Sequence, residues 1–316
     1  MQDISRRKFL GLMGSAAVLA GLGVAGCGGS GSSSDSGSAD AGAGDSGSSS
    51  LSGTIVCSGA TSFQALVEDA ANKFMDANPD VSISVTGGGS GQGLSDVKDG
   101  KAQIGRSDVF AEAKLEAADV EKLVDNQVAV VGMGPIVNSN VDVDDLSTEQ
   151  LKGIFTGEIT DWSEVGGTAG PIQVINRKPG SGTRATFEAA VLQGATVPDS
   201  WKPVAEEDSS GTVVEKVQQT EGSISYLAFS YYDDSKFKAL SVDGVAPTAE
   251  NVESGDFKIW AYEHCYTPAD ADEVTKAFID YMLSDEVQGE LVEKDGFIPV
   301  SGMKVQKDAD GNISNK

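Results

Sequence analysis

The stretch Asn176-Arg177-Lys178-Pro179-Gly180-Ser181-Gly182-Thr183-Arg184 decides how the rest of the chain is read. It sits between an apolar run (Ile172, Val174, Ile175) and a segment where Phe187 and Val191 fall one helical turn apart. The first has the look of a buried parallel strand and the second of an amphipathic helix starting near Thr183. A helix start presents unpaired N–H groups and a partial positive charge, and glycines let an oxyanion approach them closely. Ser181 and Thr183 add hydroxyl donors, and Arg177 adds a charged fork. The same nine residues also fit a glycine-rich turn with an ordinary hydroxyl cap.

Two further junctions repeat the pattern. Residues 54–57 read as a short strand, followed by Ser58-Gly59-Ala60-Thr61-Ser62 and a helix with Phe63, Leu66, Val67, Ala70, Ala71, Phe74 and Met75 on one face. Thr61 and Gln64 have the spacing of a capping box. Val81, Ile83 and Val85 alternate as a second strand, which runs into Gly87-Gly88-Gly89-Ser90-Gly91 and a short helix. A third strand at residues 103–105 leads to Asp108. In open parallel sheets ligands sit beyond the carboxyl ends of strands, where such turns converge.

Residues 111–123 read as a charged helix, and Ser147 with Gln150 caps another. The apolar run at residues 128–137 and the segment K-I-W-A-Y-E-H-C-Y at 258–266 read as strands that cross between lobes in opposite directions. Two crossings imply a hinge, and a cleft between hinged lobes is a natural place for a small ligand.

The N-terminus reads as an address. Ser5-Arg6-Arg7-Lys8-Phe9-Leu10 is a twin-arginine export signal, followed by an apolar stretch too short and glycine-diluted for a good membrane span. Val24-Ala25-Gly26-Cys27 looks like a lipobox, so residues 1–26 are expected to be removed and Cys27 lipidated. Residues 28–50 contain only Gly, Ser, Ala and Asp, a composition that cannot bury a core. As a flexible tether they would span on the order of 25 Å.

The net charge is −25; residues 1–26 hold three basic residues and one acidic, so their loss takes it to −27. That balance argues against nucleic acid and acidic lipid headgroups as partners. It also repels an anionic ligand, so an anion site here must win through local, dehydrated donors. Cys57 and Cys265 are either one disulfide or two buried thiols. One histidine, His264, and no Cys/His cluster speak against a zinc site, and His264 reads as structural.

The ordered set G-A-T-S-F, G-G-G-S-G, I-G-R-S-D, L-S-T-E-Q-L-K-G-I-F-T-G-E-I-T-D-W, N-R-K-P-G-S-G-T-R and G-F-I-P-V resembles the phosphate-binding lipoproteins of bacterial phosphate ABC importers, across residues 51–300. The resemblance implies an α/β, two-lobed type II periplasmic-binding-protein fold with a hinge of two crossover strands. On that pattern residues 51–135 and 262–316 form one lobe and 136–261 the other. It implies that Thr61, Ser62, Ser90 and Asp108 meet inorganic phosphate from one lobe, and Arg177, Ser181, Gly182 and Thr183 from the other. It implies no cofactor, a monomer anchored outside the cytoplasm by Cys27, and membrane permease subunits as partners. Ser62 stands where some relatives carry an aromatic residue. Between Arg177 and Ser181 there is no acidic residue, so whatever braces Arg177 comes from elsewhere.

Asp108 carries the chemical argument. A carboxylate only accepts hydrogen bonds, so beside an anion it repels unless the ligand brings a proton. Phosphate keeps a proton at neutral pH and sulfate does not, so Asp108 is expected to reject sulfate; its other reading is a helix cap or a partner for Arg106. Thr61, Ser90 and Thr183 read equally as helix caps. Arg106 and Arg184 read as partners of surface acids rather than of the ligand, and Lys178 as solvated. Two other functions remain in view: binding or sensing of another oxyanion, and hydrolysis of a phosphate ester. The second lacks a nucleophile elbow, a P-loop and a metal-ligand cluster.

Overall fold

The computed structural model describes residues 51–316. The export signal, the lipidated Cys27 and the tether, all expectations from the sequence, lie outside the described residues. The first elements are β1 (Gly53–Gly59), α1 (Gln64–Ala77), β2 (Val81–Gly87), α2 (Ser90–Lys98) and β3 (Ile104–Ser107). A single helical turn, α3 (Ala117–Val120), precedes the long β4 (Leu123–Val137). Next come β5 (Asp145–Leu146), α4 (Thr148–Thr156), β6 (Gln173–Arg177), α5 (Gly182–Val191), β7 (Ala205–Glu207), α6 (Ser210–Gln219) and β8 (Ser223–Ala228). The remainder is β9 (Lys238–Ala239), β10 (Ser241–Val242), α7 (Ala249–Glu253), β11 (Trp260–Pro268), α8 (Glu273–Met282), α9 (Val292–Lys294) and the hairpin β12 (Val305–Lys307) with β13 (Ile313–Asn315).

One sheet threads both lobes in the order β2-β1-β3-β11-β4-β8-β6-β7, with β9 beside β4. The outer groups are parallel: β1 with β2 and β3, and β6 with β7 and β8. The central pair is antiparallel. β4 lies against β11 through Gly132, then against β8 and β9 from Met133 onward. These two strands are the crossovers that the apolar runs announced. Parallel strands on either side point their carboxyl ends toward the same cleft, which is how the glycine- and hydroxyl-rich turns come to face one another.

The helices bury the faces their periodicity dictates. α1 packs Leu66, Val67, Ala70, Ala71 and Phe74 inward, with Phe74 edge-on to Phe278 of α8 at 5.3 Å. Burying Leu66, Val67 and Phe74 stabilises the fold by about 1.5–3 kcal/mol each, and the two alanines by less. Ser147 and Gln150 form the reciprocal capping box expected of them.

The segment at 111–123 departs from expectation. It is a 3-10 turn (Ala111–Ala113) and the single turn α3, after which β4 begins. Only Ala111 in it is buried, and a run without an apolar stripe has nothing to hold a long helix against a core. The Thr61–Gln64 box does not form either: α1 starts with Phe63 at its cap position and no side-chain cap. Gln64 instead donates to Glu68, and the Thr61 hydroxyl is engaged across the cleft.

Cys57 and Cys265 are both buried free thiols. They sit on β1 and β11 with β3 between them, two strand spacings of about 4.8 Å each and a further two-residue offset along β3, beyond the roughly 7 Å that a disulfide spans. Burial pushes the Cys57 thiol up to about 12.

Candidate functional site

Four strand-to-helix junctions, β1–α1, β2–α2, β6–α5 and β7–α6, converge between the lobes together with the turn after β3. Thr61 and Ser62 follow β1, Ser90 opens α2 after β2, and Asp108 follows β3. From the other lobe Arg177 ends β6, and Ser181, Gly182 and Thr183 open α5. Thr61, Ser62, Ser90, Asp108, Arg177, Ser181 and Thr183 are all buried. Within the described residues, the structure brings together the eight that the sequence put forward for the ligand.

The fourth junction, β7 to α6, went unrecognised in the sequence. Ser209 caps α6, and Ser210, fully buried, donates its backbone N–H to Thr61 Oγ1 at 3.2 Å. The signal was present in Ser209-Ser210-Gly211-Thr212, a hydroxyl-rich run just ahead of Val213 and Val214.

Asp108 is the acceptor at the centre. Ser62 Oγ donates to its Oδ1 at 2.6 Å, and Thr183 Oγ1 donates from the opposite lobe to its Oδ2 at 2.8 Å. Its backbone N–H donates to Ser90 Oγ at 3.0 Å. These bonds displace the alternatives for this aspartate. Asp108 is neither a helix cap nor paired with Arg106.

Arg177 faces it. Its Nη2 donates to the Asp208 carbonyl at 3.0 Å and its Nε to the Glu207 carbonyl at 3.3 Å. The inward edge of the guanidinium meets Ser210 Oγ at 3.3 Å, and Thr61 Oγ1 and Thr183 Oγ1 at 3.5 Å each. The brace that the sequence left unnamed is therefore backbone, supplied by the end of β7 and the turn after it. Burial pulls Arg177 below its ordinary value, opposed by Tyr226 and Asp108. Among the described residues it has carbonyl partners and no directly paired carboxylate, which leaves its charge for an incoming anion.

Several sequence readings change here. Thr61, Ser90 and Thr183 are not caps; Gly89 and Ser181 occupy the cap positions of α2 and α5, and Ser181 Oγ accepts from the Arg184 N–H. Arg106 is not a surface residue. It is fully buried, donates to the carbonyls of Ala60 and Thr86, and lies 5.7 Å from the Phe63 ring centroid. It thus ties the ends of β1 and β2, and the turns that follow them, together from below. Arg184 does pair with surface acids, Glu188 at 2.7 Å and Glu206 at 3.1 Å, and exposed Lys178 pairs with Asp208. His264 packs parallel to Tyr266 and holds Asp125 through Nδ1 at 2.8 Å.

The two rims touch. Gly91 N–H donates to the Gly180 carbonyl at 3.0 Å, and Tyr231 OH donates to the Thr61 carbonyl at 2.6 Å. A Cβ on Gly182 would lie 2.0 Å from Ser90 Oγ, so only glycine permits this approach. Chemically the arrangement offers helix N-termini, a ring of hydroxyls and a buried guanidinium to an anion, with one carboxylate among them. Such a set suits a small oxyanion that brings its own proton.

Comparison with known proteins agrees with this chemistry. Residues 44–286 match the model of the PBP superfamily domain. The phosphate-binding protein PstS of Bacillus subtilis is 50% identical over 263 residues, 83% of this chain and 86% of that one. A putative phosphate ABC transporter substrate-binding protein from Clostridium perfringens, solved with bound phosphate, superposes with a TM-score of 0.72 at 33% identity, covering 78% of this chain and 100% of that one. An ABC-type phosphate transport receptor from Vibrio cholerae gives 0.64 at 28% identity, with 77% and 99% covered.

Proposed function

The chain belongs to the PBP superfamily and, within it, to the phosphate-binding proteins of bacterial ABC importers; on that premise we propose that it captures inorganic phosphate between its two lobes and delivers it to a membrane permease. The observation that carries the reading is Asp108 facing Arg177 across a ring of hydroxyls drawn from both lobes. Arg177 and the N–H groups of Gly182 and Thr183 at the start of α5 hold the ligand's charged oxygens, with Ser181 shaping that turn. Thr61, Ser62 and Ser90 complete the cradle from the other lobe, and Asp108 takes the ligand's proton. Only the closed form lets phosphate satisfy both sets, so binding drives closure about β4 and β11. The lobes are residues 51–135 with 262–316, and residues 136–261. Export by the twin-arginine signal and a lipid on Cys27 would leave the monomer tethered outside the cell membrane by residues 28–50. The protein is a carrier rather than an enzyme.

Isothermal titration of ligand-stripped protein with phosphate and then sulfate near neutral pH tests this. Heat from phosphate and none from sulfate is the expected result. Silence toward both, once carried-through ligand is excluded, would overturn the reading.

A further inference from the structure

Behind Asp108, outside the set of proposed ligand contacts, lies a fully buried acid. Glu263 sits mid-strand in β11. The register between β11 and β4 slips there: Glu263 pairs with Ala129 and His264 with Gln127, so Val128 has no opposite residue. Such bulges re-aim side chains and recur beside binding sites. Here the aim is at Ser62. Glu263 Oε2 lies 3.3 Å from Ser62 Oγ, and Oε1 meets no hydrogen-bond partner.

A proton count decides what that contact is. Ser62 has one hydroxyl hydrogen, and the 2.6 Å bond to Asp108 Oδ1 takes it. The 3.3 Å approach of Glu263 is then attractive only when Glu263 itself is the donor, as a carboxylic acid. Its surroundings point the same way. The charged and titratable groups facing it are Asp108 after β3, Arg106 on β3, and Cys265 on its own strand; Ser62 comes from the turn after β1 and Ala129 lies opposite on β4. Among the described residues none forms an ion pair with it within 4 Å, and a bare carboxylate with an orphaned oxygen in such a place is costly. Burial, and then the charge of Asp108, push its pKa well above the ordinary range.

We propose that Glu263 is a positioning residue which carries a proton at neutral pH and donates it to Ser62, turning the Ser62 hydroxyl onto Asp108 and leaving the remaining lone pairs of Asp108 for the proton of the ligand. Ionised, Glu263 would draw the Ser62 hydrogen to itself and set a second negative charge behind the anion. The ligand part of this assignment rests on the phosphate reading; the proton on Glu263 does not.

The test uses the full-length protein with Glu263→Gln, which keeps a donor at this position, and Glu263→Met, which keeps the volume without one. Infrared difference spectra of wild type against Glu263→Gln at neutral pH should contain a protonated-carboxyl C=O band belonging to Glu263. Phosphate titration should place Glu263→Gln about tenfold tighter than Glu263→Met, the worth of roughly one hydrogen bond. A merely space-filling role would favour the apolar variant or separate the two not at all, and either outcome overturns the proposal. Absence of the infrared band overturns it too, even with wild-type phosphate binding intact. If the wild type ignores phosphate, the phosphate reading falls while the band still decides the proton.

Discussion

Replacing Gly182 with alanine puts a methyl group into the seam where the two rims meet. Its Cβ would lie 2.0 Å from Ser90 Oγ and 2.9 Å from both Ser90 Cβ and Asp108 Cβ, all on the opposite lobe. Ordinary contact distances start near 3.4 Å, so the rims must part by about 0.5 Å to clear the two Cβ atoms, and by more than about 1 Å unless Ser90 Oγ swings away from the Asp108 N–H it holds. The bonds that span the seam then stretch out of range. Thr183 to Asp108 grows from 2.8 Å, the Ser210 N–H to Thr61 from 3.2 Å, and the Gly91 N–H to Gly180 from 3.0 Å. One of these ends on a carboxylate, worth about 1.5–3 kcal/mol, and the neutral ones are worth about 0.5–1.5 kcal/mol each. With part of the loss recovered by water, closure should cost about 2–4 kcal/mol more, a phosphate affinity lower by roughly thirtyfold to a thousandfold. The fold itself should not suffer, because Gly182 opens α5 where alanine is the better helix former. Calorimetric titration and solution scattering read the two halves of this expectation: weaker binding, and less compaction on adding phosphate, at an unchanged or slightly raised Tm. Wild-type affinity with full compaction would refute the reasoning that closure across this seam drives binding.

Arg177→Ala should weaken phosphate binding more than Ser181→Ala, since the first removes a buried charged fork while Ser181 Oγ serves mainly to cap α5; a larger loss from the serine in parallel titrations would contradict this. Asp108→Asn should narrow the preference for phosphate over sulfate, because an amide can donate to a fully ionised anion; unchanged selectivity in competition calorimetry would remove Asp108 from that role. Glu263 has a raised native pKa, so between the unfolded value near 4.3 and that native value the folded chain holds a proton that the unfolded chain has lost. Its stability contribution is complete below that window and declines as pH rises through it, so the Tm of Glu263→Gln should gain on wild type from pH 5 to pH 8; a constant difference would count against the assignment.

Much of the fold was legible because it rests on local pattern. The face Leu66, Val67, Ala70, Phe74 announced α1, the Ser147–Gln150 box announced α4, and the two apolar runs announced β4 and β11. The turns carrying Thr61, Ser90, Asp108 and Ser181 were legible as cleft-lining because each follows a strand whose carboxyl end points to the cleft. What failed locally failed for a tertiary reason. Thr61 has the spacing of a cap, yet its hydroxyl is drawn to the Ser210 N–H across the cleft, a partner 149 residues away. Arg106 reads as a polar residue at a strand end, and only the closing of Phe63 and the Ala60 and Thr86 carbonyls over it makes it core.

Glu263 was hidden for a related reason. In K-I-W-A-Y-E-H-C-Y one acid among aromatic residues faces either solvent or core according to a register that the slip at Val128 sets, and no local pattern encodes that slip. Its placement bears on a tension in the composition, a chain of net charge −25 built to hold an anion. Beside the cleft, among the described residues, the buried charged groups are Arg106 and Arg177 against Asp108 and Glu263. With Glu263 ionised these cancel. With the proton assigned to it, one positive charge stays uncompensated in a water-excluded site, while the surface acids act through a screening length of about 8 Å at physiological salt. On the proposed reading, short-range attraction inside the cleft then prevails over repulsion outside it, and the residue that tips the balance acts on the ligand only through Asp108, by way of Ser62.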